Sequence, residues 1–271
     1  MTDRPPPGET VLDAFGATSP PVLLPGGERR TYHCGKIVLR CENEPEVEDA
    51  LFVANLFANI VETDEFRVPR PVRAANGTWL ADGQWTAWTY LEGRQATRDD
   101  APELVRALEA FHRALADAPY PSHIERRTSP YGRADRGAFG ARPSVNDGHL
   151  AEVLDGLYAL RRPVEGLHDQ VIHGDAGDHN MLIEPGLPPA VIDMALYWRP
   201  PEFALAVAAF WMGPYLGDRE VLRHFEHVRE FDQLLLRACI RSLLVMDGFG
   251  YQQELSAYAP AIAIVRERAG A

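Results

Sequence analysis

The sequence predicts an α+β fold in two parts, a small first part built on an antiparallel sheet and a larger helical second part. Three observations support this division. Short β-rich runs surround one helical pattern in residues 16–91, helical patterns dominate residues 92–271, and a strand–turn–strand pattern that carries polar residues interrupts the helices. The first 15 residues are polar and proline-rich, and we expect them to be disordered. Residues 91–93 are the expected connector between the two parts.

The first part is predicted to contain three strands, one helix and a hairpin. The strands cover residues 22–24, 31–34 and 37–40, where β-rich runs are separated by glycine-containing turns. The helix covers residues 46 to about 60, because its apolar residues recur at spacings of three and four. The Asn76-Gly77 pair signals a hairpin whose second strand ends near residue 90.

The second part is predicted to be mostly helical. Helical patterns begin at Pro102 and recur over residues 201–213, 217–247 and 252–267, where we expect breaks within the helices. Between them, residues 119–148 show no clear periodicity and contain five arginines with several glycines and prolines, which is typical of an irregular loop.

Composition excludes several classes of function. The net charge of −12 argues against nucleic acid as the main partner, because nucleic-acid binding depends on cationic side chains. No apolar run reaches the length of a membrane span, and the first residues contain no apolar signal segment. The three cysteines lack metal-binding spacing. We therefore expect a cytoplasmic protein with reduced thiols that binds neither nucleic acid nor membranes.

Polar residues at two places in the strand–turn–strand pattern indicate a chemical function. One apolar run leads into His173-Gly174-Asp175, Asn180 follows five residues later, and a second apolar run ends in Asp193. Two short strands joined by a turn would bring Asn180 and Asp193 together, with Asp175 at the mouth. Phosphoryl transfer from ATP requires a carboxylate beside the attacking hydroxyl and oxygen ligands for the Mg²⁺ ions that bridge the phosphates. The spacing therefore indicates phosphoryl transfer.

The same residues resemble a known superfamily. The His173-Gly174-Asp175 motif with Asn180, and the later Asp193, are similar to those of the aminoglycoside phosphotransferase and choline kinase-like superfamily, which has a protein-kinase-like two-lobed fold. The resemblance extends over roughly residues 15–265, and residues 197–201 are similar to a poorly characterised branch. It implies that Asp175 is the catalytic carboxylate and that Asn180 and Asp193 bind Mg²⁺. The implied reaction moves the γ-phosphate of ATP or GTP to a hydroxyl of a small molecule.

The resemblance also implies a nucleotide site in the first part. Arg40 ends the third strand, where the family usually has a Lys that contacts the α- and β-phosphates, and it would pair with Glu48 or Glu46 of the following helix. The other implied nucleotide-binding residues are Gly26 and Gly27, over the phosphates, and Thr89, Tyr90 and Leu91, whose backbone groups would hold the adenine.

The acceptor is predicted to bind beside the metal site. Trp198 and Arg199 follow Asp193 closely and are the candidate wall of a substrate site. An aminoglycoside, another antibiotic, a sugar, a nucleoside and an amino alcohol all fit this prediction, because specificity in such a fold depends on the loops of the helical part.

The sequence departs from the family pattern at three places. Arg40 replaces the usual Lys, and a planar guanidinium binds phosphate differently from a point charge. Met194 and Ala195 follow Asp193, where Phe-Gly or Trp and an acid are more usual. Ala204 stands where the family typically has an Asp that braces the catalytic loop, so other groups are expected to bond the backbone of that loop.

These departures leave two alternatives open. The first is a pseudokinase that binds nucleotide but serves regulation or partner binding. The second is a metal-dependent hydrolase, because His173, Asp175, Asp178 and His179 are residue types that bind zinc or manganese. His173 itself is expected to be structural and bonded to a backbone carbonyl at the end of its strand.

Overall fold

The structure is a computed structural model that describes residues 5–25 and 29–270. It confirms the predicted α+β fold, with a small antiparallel sheet and one long helix before a larger helical part. In the described part of the chain, no helix is both long and apolar enough to cross a membrane.

The first part is a four-stranded antiparallel sheet in the order β1-β2-β3-β4. Its strands are β1 (Val22–Leu23), β2 (Thr31–Cys34), β3 (Ile37–Cys41) and β4 (Trp85–Thr89), and the helix α2 (Val47–Asn59) follows β3. Side chains alternate across a strand. Leu39 and Cys41 are therefore buried on one face of the sheet, and Arg40 projects from the other face, toward the second part of the chain.

Residues 9–15 were predicted to be disordered, and this prediction is wrong. They form the helix α1 (Glu9–Phe15), whose Val11 and Phe15 are buried against the sheet. Gly16 ends the helix with φ 62°, a left-handed conformation that glycine adopts without steric cost. The apolar residues of this short helix cover the face of the sheet that points away from the second part.

The second part contains six helices and two small sheets among its described residues. The helices are α3 (Ala101–Ala114), α4 (Pro130–Phe139), α5 (Gly148–Ala159), α6 (Pro201–Met212), α7 (Phe231–Gly248) and α8 (Ala259–Gly270). One sheet has the order β5 (Arg94–Gln95), β7 (Met181–Ile183), β8 (Ala190–Val191), and the other pairs β6 (Gln170–His173) with β9 (Leu196–Arg199). A large apolar core of helical and strand residues holds these elements together.

The region predicted to be an irregular loop contains the helix α4, which packs on α7. Its buried face consists mainly of Gly and Ala, so it has little apolar periodicity to detect. A Cβ on Gly137 would lie 2.6 Å from Leu244, which shows how closely the two helices approach. The start signal was present in the sequence, because Ser129 caps the helix by accepting a hydrogen bond from the Gly132 N–H and Pro130 follows it.

The hairpin at Asn76-Gly77 differs from its prediction, whereas residues 217–247 have the expected break. Asn76-Gly77 forms a turn, but only isolated bridges at Pro71 and Ala81 flank it instead of a regular first strand. The helical pattern over residues 217–247 is interrupted, as expected. Residues Glu220–His224 form a 3₁₀ helix, and α7 begins after Glu230, which has φ 54°.

Candidate functional site

The strands of the second part bring the two predicted acidic residues to one place. β6 pairs antiparallel with β9, and β7 pairs antiparallel with β8. Asp175 follows the end of β6 and Asp193 follows the end of β8. The backbone N–H of Ile192 donates to the carbonyl of Asn180 at 3.0 Å, so the predicted proximity of Asn180 and Asp193 is present in the structure.

Asp175 is held by two side chains of its own loop, residues 173–180, which we call the catalytic loop. The amide nitrogen of Asn180 donates to the Asp175 carbonyl at 2.8 Å and to Oδ2 at 3.2 Å. His179 Nε2 lies 3.3 Å from the same Oδ2. Burial raises the pKa of Asp175, but hydrogen bonding and charge from His179 lower it to about 2. Hydrogen bonds to Asp175 and Asp178 raise the pKa of His179 to about 10, so the two groups form an ion pair at neutral pH.

His173 is structural, as predicted. It is fully buried, and its Nε2 contacts the carbonyl of Ile192 at 3.1 Å. Its Nδ1 accepts hydrogen bonds from the N–H groups of Asp175 and Ala195, both at 3.2 Å. These contacts assign the proton to Nε2, and burial lowers the pKa of the ring, which keeps it neutral. One imidazole therefore ties the segment before Asp175 to the segment around Asp193.

Arg40 crosses from the sheet to the second part and pairs with Asp193. The contact joins Arg40 Nη1 to Asp193 Oδ1, and the two side chains are 28% and 51% exposed. Asp193 has φ 50°, an uncommon conformation for a residue with a side chain, and one that clusters at functional sites. Burial raises the pKa of Asp193, but the charge and hydrogen bond of Arg40, together with His173, lower it below its usual value, so the carboxylate stays ionised.

The predicted ion pair between Arg40 and Glu48 is not what the structure shows. Glu48 pairs with Arg126 at 2.7 Å on the surface, and Glu46 pairs with Arg30 at 2.5 Å. The carboxylate beside Arg40 belongs to Glu42, whose Oε2 lies 3.4 Å from Arg40 Nε. The helix α2 places its acidic residues toward other arginines, which the spacing alone did not reveal.

The remaining predicted nucleotide residues are placed as follows. Gly26 and Gly27 lie outside the described residues. The N–H of Thr89 donates to the carbonyl of Arg70, and the N–H of Tyr90 donates to that of Lys36. These two N–H groups are bonded within the protein, which leaves the carbonyls and Leu91 as the adenine-facing candidates of this segment.

The backbone of the catalytic loop is braced by a residue that the sequence did not point to. Ala204 is fully buried in α6. Instead, Arg241 of α7 donates from Nη1 to the carbonyl of Gly174 at 2.6 Å, and its guanidinium lies 4.6 Å from the ring centre of Tyr197. Gly174 packs on the same ring, because a Cβ there would lie 2.0 Å from Tyr197 Cδ2. The signal available in the sequence was Arg241 itself, which is one of two arginines within the apolar pattern of residues 234–246.

Trp198 and Arg199 line a cavity of about 180 Å³. Arg199 pairs with Asp135 of α4 at 2.7 Å, and Trp198 makes an edge-to-face contact with Tyr120 at 5.0 Å between ring centres. The other lining residues are Ile124, Glu125, Arg127, Gly132, Arg136 and Tyr197. Tyr197, which lines this cavity, also packs on Gly174, the residue before Asp175.

The oxygen donors of Asn180 and Asp193 fit a magnesium ion. Mg²⁺ prefers oxygen ligands and is commonly bound through one or two protein side chains together with substrate phosphates. Within residues 5–25 and 29–270, no group of three or more His, Cys, Asp or Glu side chains is arranged to hold a metal ion.

Comparison with known proteins agrees with the geometry. The model of the phosphotransferase enzyme family matches residues 23–236. The fold is similar to that of the GDP complex of aminoglycoside 2'-phosphotransferase-IIIa, with 14% identity, 96% of each chain covered and a TM-score of 0.59. It is also similar to choline kinase LicA from Streptococcus pneumoniae, with 10% identity, 93% of each chain covered and a TM-score of 0.59.

A third similar structure is a thermostable mutant of aminoglycoside phosphotransferase APH(4)-Ia in its apo form. It has 20% identity, with 97% of this chain and 96% of that chain covered and a TM-score of 0.56. At these identities the structural likeness establishes the fold. None of the curated proteins searched matches the sequence.

Proposed function

We propose that this chain, which belongs to the phosphotransferase enzyme family, transfers the γ-phosphate of ATP or GTP to a hydroxyl group of a small molecule. The observation that carries the proposal is the meeting of Arg40 with Asp193 beside Asn180 and Asp175. A cation from the sheet thus lies next to the oxygen ligands of a metal and the carboxylate that faces the acceptor. Few other reactions need all of these groups together.

Each residue has a distinct part in the proposed reaction. Asp175 orients the acceptor hydroxyl and takes its proton, and His179 and Asn180 hold the carboxylate in place. Asn180 and Asp193 would hold Mg²⁺, which neutralises charge on the phosphates when it is bound. Arg40 contributes a permanent positive charge and several donors for the phosphate oxygens.

The cavity next to Trp198 and Arg199 is the proposed acceptor site. Its aromatic walls suit a ring, and its charged groups suit an acceptor that carries hydrogen-bonding substituents. The support for this assignment is that Tyr197 lines the cavity and also packs on Gly174, the residue before Asp175.

This proposal is tested by an assay that measures both the turnover and the binding of nucleotide. The purified protein is incubated with Mg²⁺, ATP or GTP, and aminoglycosides, other antibiotics, sugars, nucleosides and amino alcohols, and product nucleotide is measured with and without each acceptor. Nucleotide turnover that depends on one acceptor class supports the proposal. Nucleotide binding without turnover for any acceptor favours the pseudokinase. Hydrolysis that needs a transition metal and no nucleotide favours the metal-dependent hydrolase.

A further inference from the structure

Glu42 is a buried carboxylate that lies directly after β3, two residues from Arg40. It is 4% exposed, and its backbone N–H is bonded to the carbonyl of Gln84 at 2.8 Å, which fixes its position next to the sheet. Alternation along the strand places Arg40 and Glu42 on the same face. The two charges therefore project together into the space between the sheet and the second part of the chain.

The Glu42 carboxylate is oriented by a chain of hydrogen bonds across the sheet. Thr86 lies opposite Arg40 in the β3–β4 pairing, and its hydroxyl donates to Glu42 Oε1 at 2.9 Å. Trp88 Nε1 donates to the same hydroxyl oxygen at 3.1 Å, so the hydroxyl proton is directed to Glu42. This bonding holds Oε1 and leaves Oε2 to face the arginines.

Two arginines share the other oxygen of Glu42. Oε2 lies 3.4 Å from Arg40 Nε and 3.7 Å from Arg30 Nη1. Arg30 has a closer partner in Glu46, at 2.5 Å. Arg40 Nε is buried and makes no aligned hydrogen bond within residues 5–25 and 29–270, so its contact with Glu42 is an attraction between charges. Glu42 thus holds the Nε side of Arg40 while the Nη1 side points to Asp193.

We propose that Glu42 is the carboxylate that positions Arg40 for the nucleotide phosphates, in place of the helix residue Glu48. The inference rests on the proposed function, because it assumes that Arg40 contacts phosphate. Glu48 is exposed and engaged by Arg126 on the surface, whereas Glu42 is buried next to the guanidinium it would hold. Glu42 acts through Arg40 and touches no reacting atom, so it is a positioning residue.

A double-mutant cycle on nucleotide binding tests the proposal without a known acceptor. Affinities for ATP and GTP with Mg²⁺ are measured by calorimetry on the full chain for the wild type, Glu42→Gln, Arg40→Met and the double variant. Glutamine keeps an oxygen for the Thr86 hydroxyl and removes only the charge. We expect Glu42→Gln to weaken nucleotide binding by about tenfold, within the range of coupling between contacting residues. In the Arg40→Met background the same change should have no further effect.

Other outcomes separate the possible explanations. Equal weakening in both backgrounds would mean that Glu42 acts through the sheet and would overturn the proposal, as would a Glu48→Gln variant that binds nucleotide more weakly than Glu42→Gln. The matched control is Glu62→Gln, which removes an ion pair to Arg70 in the same part of the chain and should leave affinity unchanged. Nucleotide binding by the wild type that Glu42→Gln does not change refutes this inference alone. A wild type that binds neither nucleotide refutes both this inference and the proposed function.

Discussion

Replacing Arg241 by Met should lower both the stability of the chain and the rate of the proposed transfer, although Arg241 touches no reacting atom. The guanidinium of Arg241 is 7% exposed and bonds the carbonyl of Gly174, the residue before Asp175. It also packs on the ring of Tyr197, against which Gly174 lies. Methionine fills much of the volume but donates no hydrogen bond, so the variant leaves a buried carbonyl without a partner.

The size of the effect follows from these contacts. A hydrogen bond from a charged donor contributes roughly 1.5–3 kcal/mol, and a buried cation–π contact adds about 0.5–2 kcal/mol. The Arg241→Met variant also no longer carries the desolvation cost of a buried charge, which offsets part of this sum. We therefore expect a loss of about 2–4 kcal/mol in the free energy of unfolding, which lowers Tm by roughly 5–15 °C for a chain of this size. A catalytic loop displaced by about 1 Å loses about a hundredfold in rate.

Arg237→Met is the matched control, because Arg237 lies one turn earlier on the same helix and is equally buried. It bonds the carbonyl of Arg162 at 2.6 Å and that of Gln233 at 2.8 Å, away from the catalytic loop. Both variants are assayed by thermal unfolding and by kcat at a temperature where both are folded. Arg237→Met should lose stability but keep kcat, and Arg241→Met should lose both. Wild-type kcat in folded Arg241→Met would refute the bracing role.

Three further predictions concern the site and its pH dependence. Asp175→Asn should lower the rate of transfer by about 10²–10⁴-fold and leave nucleotide affinity nearly unchanged, because the carboxylate serves the acceptor; calorimetry beside a turnover assay checks both parts. Asp193→Ala should abolish the Mg²⁺ dependence of nucleotide affinity, and an unchanged dependence would remove Asp193 from the metal site. Stability should be greatest near pH 6.5. Burial lowers the pKa of His173 and lowers that of His112 to about 3. Below pH ~6.5 the unfolded chain therefore binds more protons than the folded chain. The unfolding free energy then falls by up to about 1.4 kcal/mol per pH unit for each of the two groups as the pH is lowered. In the folded state His179 keeps its proton up to a pKa of about 10, whereas in the unfolded chain it loses this proton above pH ~6.5. Stability therefore falls again above pH ~6.5. Urea unfolding measured from pH 5 to 9 checks this, and a flat profile of the unfolding free energy would contradict it.

Sequence patterns predicted the parts of the fold that depend on local periodicity. The strands β2 and β3 and the helix α2 begin and end within a residue or two of the expected bounds, because each carries an alternating or helical apolar pattern. The helix α4 was missed since its contact with α7 is made by glycine and alanine, which leave no such pattern. Close packing of small residues depends on the partner helix, and a single segment does not show its partner.

Sequence spacing predicted that Asn180 and Asp193 lie close together, but it did not predict which carboxylate lies beside Arg40. Asn180 and Asp193 meet because a short hairpin joins them, and a hairpin can be read from spacing. The partners of Arg40 could not be found in this way. Glu48 on α2 and Glu42 after β3 are both close to Arg40 in the sequence. The direction in which α2 projects its side chains decides between them.

The missing brace at Ala204 and the unexpected carboxylate beside Arg40 have the same physical explanation. A buried backbone carbonyl in the catalytic loop requires a donor, and a cation facing phosphate requires a carboxylate behind it, but neither requirement fixes where in the sequence the group must stand. At the loop, the brace that Ala204 cannot supply comes from Arg241, on the next helix of the same core. At the sheet, the carboxylate comes from the end of β3 instead of α2. Because the Gly174 carbonyl has a donor in Arg241 and the Arg40 guanidinium lies beside the carboxylates of Glu42 and Asp193, these differences are weak grounds for an inactive protein, and turnover by the wild type is the expected result.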